Sequence, residues 1–380
     1  MERKSLLQFA TIIGIGVQNA ALNTVFALYG SEFLGLSPRA LGILILTFNL
    51  SGMVASLLIP ALADRHIKPR FALLISILLA ALGYVVLATS RNQTIALIAT
   101  LLCIGPSSSM VGLFFSYARA YHGASPFVVR LRGGFSAAWI LGPVVGAALA
   151  QYAGYPGFYL SLGAFCVPLA ILILALPDAP QLGANSSKVN RAGTGRVAIA
   201  FIGMASLQGA AAASITVAPL IVVKSMDGTL TEAGIILGVC AILEVFLLLG
   251  SASILSKFQD IHVILFGSAC GMLYFMTLWL APFYWMLLVA QILNATFIVA
   301  IKGTGMAWFQ GLIPTRPGLS TGLYVNTSKI GAIVAAPCVG FVAASLGSYQ
   351  QASLVAVTMA IVGVAVVSFS RLVAQDVPQQ

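Results

Sequence analysis

Charge is scarce in this chain. Asp, Glu, Lys and Arg make up 7% of its 380 residues, against roughly 25% in an ordinary soluble domain. Acid is scarcer still, with nine Asp and Glu in all, and the three histidines (His66, His122, His262) are scattered near loop positions. Enzymes that use metal or acid–base chemistry gather such side chains in one place, so neither a membrane-embedded enzyme nor a metal site is expected. The five cysteines (Cys103, Cys166, Cys240, Cys270, Cys338) lie inside apolar runs and form no C-x-x-C pair. That spacing excludes a thiol or zinc motif and leaves them as small packing residues. No P-loop is present, nor a G-x-G-x-x-G element in a dinucleotide-binding context, so direct ATP coupling and a bound cofactor are not expected.

Apolar residues take the place of charge, at 60% of the chain. A soluble protein of this size has too little interior to hide them, whereas a bilayer acts as their solvent. Only helices or a closed barrel satisfy every backbone polar group in hydrocarbon. A barrel would show alternating runs of about ten residues. The runs here are continuous and about twenty long, which predicts helices. The first run is read as a span instead of a cleaved leader, because it is long and carries Gln18, Asn19 and Asn23.

The pattern predicts an all-α membrane protein of twelve transmembrane helices in two six-helix halves. The first six spans are expected near 6–30, 39–61, 71–90, 94–118, 127–151 and 157–176. The second six are expected near 197–223, 231–252, 262–281, 284–310, 319–345 and 349–371. The one long polar stretch, 177–196, is rich in Pro, Gly, Ser and Asn, as flexible linkers are. It divides an N-terminal half, 1–176, from a C-terminal half, 197–380. With the N-terminus inside, fourteen Lys and Arg fall in cytoplasmic segments and three (Arg39, Arg91, Lys224) in outer ones. That bias predicts cytoplasmic termini. It also accounts for the net charge of +10 through the anionic inner leaflet, without nucleic acid as a partner. The halves repeat at an offset of 194 residues, where Pro143, Gly146 and Tyr155 match Pro337, Gly340 and Tyr349. Parallel six-span repeats are the plan of the major facilitator superfamily, which this chain therefore resembles and which places solute near the midplane between its halves.

Two further stretches carry resemblance. Residues 60–70, PALADRHIKPR, resemble the facilitator loop G-x-x-x-D-R-x-G-x-R/K-R/K at Asp64, Arg65 and Arg70. Pro60 and Ile67 replace its glycines, and Pro69 replaces a basic residue. The matched charges suit a cytoplasmic latch that opens as the halves rock; a plain basic loop is the alternative. Residues 305–326 are similar to the bacterial sugar efflux transporter family. Its G-M-x-W-F-Q, P-x-R-x-G and L-x-x-N elements match Gly305, Met306, Trp308, Phe309, Gln310, Pro314, Arg316, Gly318, Leu323 and Asn326. The resemblance continues in patches at Arg119, Arg132, Ser136, Trp139, Pro219 and Glu244. It implies a secondary transporter of the bacterial inner membrane that exports sugars or glycosides in exchange for protons, and the chain is expected to act as a monomer. The pattern departs at Lys302 and Lys329, where family members carry small or hydroxyl residues. Those lysines move the expected cargo towards one with an anionic group.

Ionisable side chains deep in a span cost on the order of 3 kcal/mol to insert and usually face a cavity or a partner. Glu244, Lys302 and Lys329 are so placed, while Arg132 is shallow enough to snorkel. Gln291 and Lys302 are eleven apart, Asn326 and Lys329 three apart, and Asn19 and Asn23 four apart. Each spacing returns to nearly one helix face, and Asn294 lies one turn beyond Gln291. With Tyr117, Trp139, Trp308 and Tyr324, these residues suit a polyhydroxylated solute, whose hydroxyls pair with amides and whose faces stack on rings. The same amides also serve as glue between helices. Glu244 is the expected proton carrier by elimination among the acids. It either pairs with a lysine until protonated or leaves the lysines to bind an anion. A drug, a metallophore or another small metabolite is the alternative cargo, and a membrane enzyme or receptor the alternative class.

Overall fold

The computed structural model describes residues 3–66, 68–122, 126–178, 194–255, 258–313 and 317–375. Among the described residues, eleven helices are long and apolar enough to cross a membrane. One of them, α7 (Pro126–Ala175), has 50 residues, which at 1.5 Å per residue is about 75 Å of helix. A bilayer core is about 30 Å thick, and the helix is broken at Gly154, whose φ of 68° is left-handed. Glycine takes that conformation without steric penalty. The break makes α7 two spans and the total twelve.

The remaining helices follow in order. They are α1 (Arg3–Leu28), α2 (Pro38–His66), α3 (Pro69–Thr89), α4 (Gln93–Ala99), α5 (Gly105–Ser107) and α6 (Met110–His122) before α7. After it come α8 (Thr194–Ser225), α9 (Leu230–Leu255), α10 (Asp260–Leu280) and α11 (Tyr284–Val299). Last are α12 (Gly305–Leu312), α13 (Pro317–Leu346), α14 (Tyr349–Ala352) and α15 (Leu354–Gln375). Their ends carry the expected chemistry. Asn92 caps α4 by accepting from the Thr94 and Ile95 amides. Thr229 and Glu232 form a reciprocal capping box at the start of α9, with the Thr229 amide 2.7 Å from the carboxylate. Pro69 opens α3 at a position where its missing N–H does no harm.

Three π turns interrupt the spans, at Tyr29–Phe33, Thr100–Ile104 and Ala300–Thr304. The hydrophobic pattern contains no sign of them, because one extra residue per turn changes helix phase without changing composition. Large apolar side chains such as Leu78, Phe246, Phe266 and Trp285 are exposed, as a lipid-facing surface requires.

The chain forms two compact units. Unit 1 holds Met1–Ser37, Thr47–Ser187 and Thr229–Gly238; unit 2 holds Pro38–Leu46, Lys188–Gly228 and Val239–Gln380. Each unit thus takes in a short segment from the far half of the sequence. In unit 1 that segment packs closely: a Cβ on Gly234 would come 2.6 Å from the Pro143 carbonyl. In unit 2, a Cβ on Gly42 would come 3.1 Å from Gly340 Cα.

Within unit 1, α1 lies along α7. A Cβ on Gly146 would come 2.8 Å from Ala21 Cα. A core of rings lies beside them, with Tyr29 and Tyr159 centroids 4.7 Å apart and the Tyr29 hydroxyl donating to the Leu87 carbonyl at 2.9 Å. Within unit 2, α8 is crossed by α13 and α15. A Cβ on Gly331 would come 2.8 Å from Gly209 Cα and closer still to Gly209 N and the Ala205 carbonyl. In lipid, helix association depends on such close packing. Gly331→Val meets backbone on all three sides, so the helices must separate. We expect a loss of roughly 1–3 kcal/mol or more, read as a lower melting temperature and an aggregated size-exclusion profile in detergent. Gly322→Ala, with nothing near its Cβ, should leave both unchanged.

Candidate functional site

In unit 2 a buried network connects three helices. Gln291 is fully buried on α11; its Nε2 donates to the Leu287 carbonyl at 3.0 Å and approaches the Tyr274 hydroxyl on α10 at 3.4 Å. Asn294 Nδ2 donates to Gln291 Oε1 at 2.9 Å and to Cys240 Sγ on α9 at 3.2 Å. Asn294 Oδ1 is buried without a hydrogen-bond partner. Glu244 lies one turn beyond Cys240 on α9, and Lys302 lies in the π turn that follows α11. The eleven-residue spacing placed Gln291 and Lys302 near one face, and the π turn at Ala300–Thr304 changes helix phase where Lys302 sits. Gln291 is buried, whereas Lys302 is exposed.

That π turn has a dedicated support. The Tyr324 hydroxyl, buried on α13, donates to the Ile301 carbonyl. Thr327 donates to the Tyr324 carbonyl at 2.6 Å and accepts from Gln208 Nε2 of α8 at 2.9 Å. Tyr324, expected among the solute-facing rings, instead satisfies a backbone carbonyl beside Lys302. Asn326 and Lys329 follow it on α13, both half-buried. Trp308 is half-buried and lines a cavity with Arg196, Gln259 and Asp260.

In unit 1, Asn23 Nδ2 donates to the Asn19 carbonyl at 2.8 Å and lies 3.3 Å from Asn19 Oδ1. The pair sits together as its spacing predicted. Tyr117 is fully buried, and its hydroxyl donates to the Pro177 carbonyl at 2.8 Å, so in this conformation it anchors the end of α7. Arg132 is exposed, with its guanidinium 5.7 Å from the Phe115 ring centre. Trp139 is half-buried. Gln18, which the sequence reading used only to argue for a span, proves to be 1% exposed on α1.

The charged loop before α3 is also organised differently from its sequence reading. The side chains of Asp64 and Arg65 lie outside the described residues. Arg70 Nε stands 3.0 Å from Asp178 Oδ1, and Lys68 Nζ stands 2.9 Å from Oδ2. Both cations sit at the N-terminus of α3, where the helix dipole disfavours them, and a carboxylate brought there by the end of α7 offsets both effects. Only the fold makes Asp178 their partner, 110 residues on from Lys68.

Twelve apolar helices in two units, with amides and charges held inside the spans, define a solute transporter of the membrane and not an enzyme. Among the described residues no group of three His, Cys, Asp or Glu could hold a metal ion. The chain belongs to the Major Facilitator Superfamily, whose family profile matches residues 5–336. It is 28% identical over 356 residues to sugar efflux transporter A of Dickeya chrysanthemi, covering 90% of each chain. It is 30% identical over 346 residues to a putative sugar efflux transporter of Deinococcus radiodurans, covering 85% of this chain and 87% of that one. Among solved structures it resembles the nucleoside transporter NupG, with a TM-score of 0.79 at 15% identity over 98% of this chain and 99% of that one. A bacterial homolog of the human lysosomal transporter Spinster gives 0.79 at 13% identity, over 98% and 96%. At such identities the structural likeness speaks for the fold alone.

The hydrogen bond from Lys68, together with the Arg70 charge, holds the Asp178 carboxyl below the usual carboxylate range. A depressed carboxylate contributes its stability above its ordinary pKa and loses it as pH falls through the lowered value. The cluster is exposed, so salt screens it. Asp178→Asn should flatten the fall in melting temperature that the wild type shows on acidification through that range, and the fall it shows with added salt. Identical slopes for the two proteins would remove the ion pairs from any part in stability.

Proposed function

We propose that the chain exports sugars or sugar-like solutes, including ones with an anionic group, across a bacterial cytoplasmic membrane in exchange for protons. The observation that carries this reading is the set around Cys240. Glu244, one turn from Cys240 on α9, and Lys302, in the π turn after α11, lie in the spans of unit 2 that carry the buried amide network, in a chain whose relatives are named sugar efflux transporters. Cytoplasmic placement of both termini accords with the distribution of Lys and Arg, and the proposed functional unit is the monomer.

Exchange needs solute and proton to compete. An ionised Glu244 accepts hydrogen bonds from solute hydroxyls, and such charge-assisted bonds are the strong ones. A proton on the same carboxylate removes that capacity, so arrival of one favours departure of the other. Asn294 offers its unpartnered Oδ1 to a donor nearby. Lys302 and Lys329 supply cations for an anionic substituent; among the described residues neither has a carboxylate within 4 Å. Asn326 and Trp308 of unit 2, and Asn19, Asn23, Arg132 and Trp139 of unit 1, supply the remaining polar and aromatic contacts. Tyr117 joins them in a conformation that frees its hydroxyl from Pro177. Asp64, Arg65 and Arg70 are proposed as the latch, with Asp178 as the partner that holds Arg70.

Reconstituted vesicles test the assignment. Glu244→Gln should abolish flux driven by an imposed pH gradient while solute counterflow continues. Gradient-driven flux in that variant would place the proton elsewhere. Replacing Lys302 and Lys329 together by Met should lower flux of a sugar acid by roughly 10- to 100-fold, the equivalent of about 1.5–3 kcal/mol for hydrogen bonds to charge. The matching neutral sugar should lose far less. Equal losses for both would assign the lysines to folding or coupling instead of cargo recognition.

A further inference from the structure

Halfway along its length, the span Gln93–His122 of unit 1 is broken. The π turn at Thr100–Ile104 is followed by Pro106, which has no N–H to return to the preceding turn. The helix then tightens, with the Ser108 amide donating to the Gly105 carbonyl at 3.0 Å and the Ser109 amide to the Pro106 carbonyl at 3.1 Å. Ser107 Oγ takes up the Ile104 carbonyl at 2.7 Å. Irregular backbone inside a membrane is tolerated only where protein buries it or where it lines a cavity. A cavity is indeed present, partly enclosed, bordered by Ser107 and Ser108 of the break, Gln18 and Asn19 of α1, and Tyr84 of α3.

Two residues that border this cavity each carry an unsatisfied polar atom. Gln18 is 1% exposed and lies halfway along the span Lys4–Phe33. Its Nε2 donates to Cys166 Sγ at 3.1 Å, and the thiol donates its own S–H to the Leu162 carbonyl at 3.3 Å. The sulfur can therefore only accept, which fixes the amide's orientation and leaves Oε1 as the unused atom. Gln18 Oε1 is buried without a partner, as is Ser108 Oγ, which stands over Gly52 where a missing side chain leaves it room. A buried polar atom without a partner is destabilising. Two of them beside one small cavity, in the middle of the membrane, mark a place for a group that donates and accepts. The space admits about one water-sized group.

We infer that this cavity is a hydroxyl-binding subsite, in which one hydroxyl of the solute donates to Gln18 Oε1 and pairs with Ser108 Oγ. Gln18 and Ser108 are thereby specificity-determining residues. The inference rests on the reading of the cargo as sugar-like. A site built to pair with a hydroxyl rejects the analogue that lacks it far more strongly than an apolar pocket rejects a missing methylene.

The test uses the full chain in vesicles, first with glucose, galactose and lactose, then with the monodeoxy analogues of whichever moves fastest. In the wild type one deoxy analogue should move at least about 10-fold more slowly than its parent. Gln18→Met, close in shape and without the oxygen, should shrink that difference to within about 3-fold by slowing the parent. Ser108→Ala should act in the same sense, and it decides the matter if Gln18→Met fails to fold. If none of the three sugars moves, the sugar-exporter reading falls and the subsite with it. If a sugar moves but the wild type treats all its deoxy analogues alike, or the variants slow every analogue by the same factor, the exporter stands and the subsite is overturned.

Discussion

In hydrocarbon no water is available to a peptide N–H or C=O, and an unpaired one costs several kcal/mol. At three places in this chain the group that answers that demand can be followed. At Ala300–Thr304 the answer is the Tyr324 hydroxyl on the Ile301 carbonyl. At the break after Pro106 it is Ser107 on the Ile104 carbonyl and two tightened backbone bonds. At the end of α7 it is Tyr117, reaching the Pro177 carbonyl from α6. These side chains look like solute ligands when read along a sequence. Their first duty is to the backbone, and through it they set where neighbouring residues such as Lys302 stand.

The same constraint explains why glycine is so frequent at helix crossings. Once every backbone group is paired within its own helix, association rests on how closely helices approach. Gly146 on Ala21 in unit 1 and Gly331 on Gly209 in unit 2 bring backbone against backbone. The short segments that each unit takes from the far half, at Gly42 and Gly234, are held by contacts of the same kind. Packing this close leaves little slack, so polar side chains that enter it must be satisfied locally or open onto a cavity.

The spans were legible because continuous apolar runs about twenty residues long have one solution in a bilayer. The turn inside α7 was legible too, since Gly154 and Pro156 punctuate it. The Asn19 and Asn23 pair was legible from its four-residue spacing. Helix phase was not. A π turn alters which residues share a face, so the eleven-residue spacing did not reveal that Gln291 is buried while Lys302 is exposed. Long-range partners were also invisible. Nothing local joins Gln18 to Cys166, 148 residues away, or Lys68 to Asp178, 110 residues away. Composition reports that a polar atom lies in a span; only tertiary structure reports whether it is already used.

A comparison of the two units sharpens that last distinction. Each has a buried amide whose N–H meets a thiol: Gln18 with Cys166 in unit 1, and Asn294 with Cys240 in unit 2. Sulfur is a weak acceptor, so the arrangement orients the amide without absorbing much of its hydrogen-bonding capacity. In each case the amide oxygen is left buried and unpartnered. The surroundings then differ. Around Cys166 the neighbours are neutral, with the Tyr84 ring and the Ser107 and Ser108 hydroxyls lining the cavity that Gln18 borders. On the helix of Cys240 a charged group follows one turn on, Glu244. On the proposed reading the neutral oxygen recognises a hydroxyl whatever the pH, and the charged set changes with protonation. Hydroxyl recognition at Gln18 and proton coupling at Glu244 are then separable by mutation, because those two residues belong to different units.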